Sequence, residues 1–70
     1  MPTSSHYIKA FFERGRVVFN DKTRNKKQNK KLFNSVLVEL HVNHPQFIEN
    51  CTKENILKID EKNLIIELIL

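Results

Sequence analysis

Four side chains in this sequence could take part in covalent or metal chemistry: Cys51, His6, His41 and His44. A histidine could serve as base for a cysteine nucleophile, but no third, orienting group stands at a helpful spacing. The four residues form neither Cys-x-x-Cys nor His-Glu-x-x-His, so the sequence offers no metal centre and no cofactor. Cysteine is among the most buried residue types, and Cys51 reads as an inert thiol. A single cysteine also excludes an internal disulfide framework. Carboxylates occur singly apart from Asp60-Glu61, which reads as a solvated turn. One glycine cannot build a phosphate-cradling loop. The expectation is a protein without catalytic residues.

The residues that remain are cations. The chain holds 12 Lys and Arg against 8 Asp and Glu, a net charge of +4 on 70 residues. They are unevenly placed. Residues 21–31 carry Lys22, Arg24, Lys26, Lys27, Lys30 and Lys31 against Asp21 alone, whereas residues 32–51 contain no Lys or Arg at all. The abundance of Lys, Asn and Ile would by itself enrich lysine everywhere, and it does not account for that gap. The alternatives for the segment are a polyanion contact and a solvated, mobile loop. As a contact it would bind phosphates as point charges, with salt-dependent affinity. Lys9, Arg14 and Arg16 could extend the patch. Asn25, Gln28 and Asn29 could hydrogen-bond sugars, phosphates or base edges. The segment lacks an aromatic for base stacking and holds more lysine than arginine. Backbone and shape recognition of structured RNA therefore fits better than sequence reading of DNA.

The elements that must position these residues are few. A chain of this length is at most one domain, 1–70, and its core is small. Ser4 or Ser5 can cap a helix over 5–14, with Ile8, Phe11 and Phe12 at helical spacing and Gly15 as its stop. Val17, Val18 and Phe19 suggest a short strand. Asn20 to Lys31 has no apolar residue and reads as a loop, its lysine-rich part being 21–31. Leu32 to Val42 alternates Val36, Val38, Leu40 and Val42 with Leu37, Glu39 and His41, which predicts a strand. The two strands would then form a hairpin joined by the basic loop. With no recognition-helix pair, helix-turn-helix DNA binding is disfavoured.

His44-Pro45 ends the longer strand, and Phe47, Ile48 and Cys51 suggest one helical turn. Residues 53–59 carry both helix and strand signals, with Thr52 as a possible cap favouring a helix. Asp60 to Asn63 is a turn. Leu64 to Leu70 predicts a strand apolar on both faces. It is either central and buried or a partner surface made of Leu64, Ile65, Ile66, Leu68, Ile69 and Leu70. The fold expected is α+β: about three strands in a small sheet, one or two short helices and a long basic hairpin loop. No apolar run is long enough for a membrane span, and residues 1–10 do not resemble a secretory signal. A cytoplasmic, reducing environment is the expectation.

Met1-Pro2, Ile8-Lys9, Phe11, Arg16, Lys26-Lys27 and the closing Leu64 and Ile66 follow an order that resembles the large-subunit ribosomal protein family numbered thirty-eight. The acidic 36–42 segment departs from that family's basic strand. Leu40, His44, Pro45 and the 52–59 segment resemble family twenty-two, without its basic C-terminal region. Either resemblance implies a structural constituent of the ribosome whose lysines neutralise rRNA phosphates. Its last strand would complete the sheet or face a neighbouring protein. The rival expectation is a small protein-interaction module, such as a viral or phage host-modulating factor. It would dimerise or add a strand to a partner's sheet through 64–70.

Overall fold

The computed structural model describes residues 3–70; Met1 and Pro2, which the ribosomal resemblance uses, lie outside the described residues. Helix α1 spans Ser4–Arg14. Thr3, not Ser4 or Ser5, is its N-cap, and its carbonyl accepts from the His6 and Tyr7 amides. Gly15 ends the helix at φ 73°, where a β-carbon is disfavoured, and its N–H donates to the Phe11 carbonyl at 2.7 Å. Strand β1 follows at Arg16–Val18.

The largest departure from expectation comes next. Residues 32–42 are not a strand and 26–31 are not a loop: both belong to one helix, α2, Lys26–Asn43. Its start is a capping box. The Asn25 side chain accepts from the Gln28 amide at 2.8 Å while Gln28 reaches back to the Asn25 N–H at 3.4 Å. Its buried face is Asn29, Phe33, Val36 and Leu40, a helical stripe, whereas Val38 and Val42 point outward at 62% and 69% exposure. The alternating valines thus fall on two opposite helix faces. There is no hairpin between 17–19 and 32–42, and no long basic hairpin loop.

Pro45 stands at the first position of α3, Pro45–Lys53, a full helix where a single turn was expected. The helix expected over 53–59 does not form. Thr52 caps nothing there; its hydroxyl donates to the Ile48 carbonyl inside α3. Asn55 turns the chain at φ 56°, and β2 runs from Leu57 to Asp60. After the expected turn comes β3, Ile65–Leu68.

The sheet is antiparallel with order β1-β3-β2, Ile66 facing Val17 on one side and Ile59 on the other. The α+β class and the three-stranded sheet hold, with three helices around them. Phe11, Phe19, Phe33 and Ile66 are fully buried and join α1, α2 and the sheet in one core. Phe19 meets both Tyr7 and Phe33, with ring centroids 4.7 and 5.7 Å apart.

Two aspartates fasten the connections. Asp60 accepts from the Asn63 amide and side chain and from the Lys62 amide, closing the β2–β3 turn. Asp21 accepts from the amide and hydroxyl of Thr23. These bonds favour the ionised carboxylates and lower both pKa values, the backbone donors of Asn63 and Thr23 contributing most. Their stabilisation is fully present above the ordinary aspartate pKa, and it is lost as pH falls through the depressed folded values. The urea midpoint is therefore expected to fall as pH drops below about 5 and through the depressed aspartate values, and to fall less in Asp60→Asn.

Candidate nucleic-acid interface

Lys26, Lys27, Lys30 and Lys31 occupy the first two turns of α2 and are all exposed. Helical spacing sets Lys26 beside Lys30 and Lys27 beside Lys31, with Lys22 exposed in the preceding turn. The lysines project from a rigid rod and not from a mobile loop.

This placement is locally unfavourable. No acidic residue lies in the first turn of α2. Each cation there opposes the helix dipole at a cost of roughly 0.3–1 kcal/mol. Like charges at this spacing repel by a few tenths more. What holds the segment is the capping box below it and the buried side of the same turns. Asn29 is only 2% exposed; its amide donates to the Asp21 carbonyl at 3.0 Å, and its oxygen accepts from Arg24 Nε at 2.9 Å. The Lys30 ammonium lies 5.7 Å from the centre of the Phe33 ring.

Arg24 stands apart from the exposed lysines. Its side chain is 10% exposed and bonds Asn29, the Phe19 carbonyl and Asp21, with the guanidinium 5.8 Å from the centre of the Tyr7 ring. It fastens the turn before α2. Asn25 and Gln28 stay exposed but bond each other in the capping box, and Asn29 is buried. Asn34 and Ser35 take their place. They border, with Lys27, Lys30 and Lys31, an open groove of about 820 Å³ that continues to the exposed Val38 and Val42. An apolar stripe at 33, 36 and 40 behind Asn-x-x-Gln is the sequence signal that marks this helix.

The other three cations divide. Lys9 stands on exposed α1, 3.9 Å from Glu13. Arg16 pairs with Glu67 at 3.3 Å on the outer face of the sheet. Arg14 is exposed at the end of α1 and shares a separate groove with Arg16. None of the three borders the lysine groove.

The aliphatic segment is also redistributed. Leu64 and Ile66 are core residues, Ile65 and Leu68 are half-buried, and Ile69 and Leu70 are exposed. Because β3 is hydrogen-bonded to β1 on one side and β2 on the other, it cannot add to a partner's sheet. The central-strand alternative describes it.

The covalent candidates remain scattered. Cys51 is buried, and burial raises its thiol pKa, with Glu54 adding to the effect. The His41 ring contacts the Leu37 carbonyl at 2.7 Å, and the His44 ring lies 4.9 Å from the Phe12 ring. Among the described residues no group of three or more His, Cys, Asp or Glu could hold a metal ion. No helix there is long and apolar enough to cross a membrane.

A helix pair is present after all, since α2 and α3 are joined by His44 alone. On α3, Gln46 donates to Asn50 at 3.1 Å and Lys53 pairs with Glu49 at 3.3 Å, all four residues being exposed. No protein-family model, curated protein or solved structure matches the chain.

Proposed function

We propose that this protein is a non-enzymatic RNA-binding component of a ribonucleoprotein assembly. The resemblance in its sequence points to the large ribosomal subunit and a cytoplasmic setting. The observation that carries the reading is the quartet Lys26, Lys27, Lys30 and Lys31 on one helix end, with Lys22 beside it, fixed there by Asn25, Gln28 and Asn29. Lys26 and Lys27 oppose the helix dipole in the first turn and Lys30 and Lys31 repel them from the second, a conflict with local stability of the kind functional positions carry. Converging phosphates would relieve both the repulsion and the dipole cost while releasing counterions. Lysine heads contact backbone oxygens without reading bases, so shape selects the target.

One observation favours a second reading. The α2–α3 pair followed by the β2–β3 hairpin presents Gln46, Glu49 and Asn50 on an exposed helix, and these side chains can read base edges of duplex DNA. Glu49 and Glu54 beside Lys53 give that helix no positive surplus, which favours the lysine end of α2 as the contact.

Co-sedimentation of the full chain with ribosomes, repeated at moderate and high salt, tests the first reading, together with titrations of a folded rRNA fragment and a DNA duplex. The expected outcome is preference for the folded RNA and release at high salt. Preference for the duplex that is lost in Gln46→Ala, Asn50→Ala selects the second reading. Salt-insensitive association, or none with either nucleic acid, overturns both.

A further inference from the structure

The free hydrogen-bonding edges of the sheet belong to β1 and β2, not to β3. On β1 the direction of each backbone group follows from its neighbours. The Leu68 N–H donates to the Gly15 carbonyl at 2.7 Å and the Phe19 N–H to the Leu64 carbonyl at 2.8 Å, so positions 15 and 19 face β3. Alternation turns the N–H and C=O groups of Arg16 and Val18 to the open side. No backbone group among the described residues bonds them there.

A groove of about 290 Å³ lies beside this edge. Its wall is one face of α1, with His6, Ala10 and Arg14 at successive four-residue steps, and its other side is β1. No carboxylate lines it. Glu67 touches Arg16 from the outer face of the sheet, and Arg14 has no ion-pair partner among the described residues. The edge therefore combines unpaired main-chain groups with Arg14, which has no ion-pair partner among the described residues, and the Glu67-paired Arg16.

We propose that this groove accepts an extended acidic peptide of a partner protein as a fourth strand beside β1. Main-chain bonds to Arg16 and Val18 would supply attachment. Arg14, with Arg16 shared between the groove and Glu67, would select Asp and Glu side chains, while small apolar residues at alternate positions would face Ala10. Self-association along the same edge is disfavoured, because a second copy would bring its own Arg14 and Arg16 against these cations. The proposal is independent of the lysine end of α2, which borders a different groove.

The test is amide NMR of the full chain with a capped hexapeptide alternating Glu and Val, a Lys–Val counterpart, and a short single-stranded RNA. Saturable shifts and slowed amide exchange at Arg16 and Val18 are expected with the Glu–Val peptide only. Arg14→Glu should weaken that binding at least about tenfold and favour the Lys–Val peptide. Val18→Pro removes the outward donor without touching the inward bonds of 17 and 19, and should abolish binding. If Val18→Pro does not fold, the charge reversal still decides. Equal shifts with both peptides, no shift at Arg16 and Val18, or shifts there with RNA alone would overturn the assignment.

Discussion

Exchanging Lys22, Lys26, Lys27, Lys30 and Lys31 together for glutamine should cut affinity for a folded rRNA fragment on the order of a hundredfold to a thousandfold near 0.1 M salt. The plot of log affinity against log salt should flatten by about one per lysine that meets a phosphate. Glutamine keeps the helix, being nearly as good a helix former as lysine. It also removes repulsion and dipole conflict in the first turns of α2, so thermal stability should hold or rise slightly. That pairing of effects is the diagnostic. A variant that loses RNA binding while melting no earlier has lost a contact and not its fold. Unchanged affinity and salt slope in the fivefold variant would reject the lysine end as the interface. Arg24→Gln is the contrasting control. Because Arg24 is engaged by Asn29, Asp21 and the Phe19 carbonyl, it should lower stability and leave the salt slope nearly intact.

The second large effect belongs to Asn29. Its amide and carbonyl oxygen join the Asp21 carbonyl to Arg24 Nε in a nearly water-free position. Asn29→Ala leaves Arg24 Nε without a partner and the Asp21 carbonyl with the Arg24 amide alone, and a buried polar group left unpaired costs roughly 1–3 kcal/mol. A loss of about 1–3 kcal/mol is expected, and in a domain this small that lowers the melting temperature by at least about 5 °C. Asn29→Leu should be no better, since filling the space does not restore the two bonds. A melting curve within a few degrees of the wild type would show that water replaces the side chain. The same variant should weaken RNA binding through disorder of the first turns of α2, an effect that saturating RNA partly reverses.

Val36, Val38, Leu40 and Val42 are spaced by two, and that spacing also places 36 with 40 and 38 with 42 at helical distance. One pattern fits a strand with one buried face and a helix with one buried and one exposed edge. Only the partner surface of Phe11 and the neighbouring Phe33 selects the helix. The Asn-x-x-Gln box and the Asn29, Phe33, Val36, Leu40 stripe were legible, but lysine density obscured the helix start. At 53–59 the strand-favouring run Ile56-Leu57-Lys58-Ile59 competed with a cap signal at Thr52. Asn55 in the left-handed region settled the competition, and the sheet edge offered by β3 gave Leu57–Asp60 their bonds. The Cys51 burial, the Gly15 stop, the 60–63 turn and a buried apolar strand near residue 66 all followed from residue type.

The position of the lysine charge was determined by the sequence alone, because lysine heads stay in water whichever element carries them. So were the places where the chain must turn, each set by a local preference. The tertiary structure alone decided three things. It made the basic segment a helix, it withdrew Arg24 and Asn29 into the turn that holds that helix, and it put β3 between two strands so that the open edge passed to β1. Each depends on which distant residues meet, and pairing energy between segments far apart in sequence exceeds the tenths of a kcal/mol by which local preferences differ.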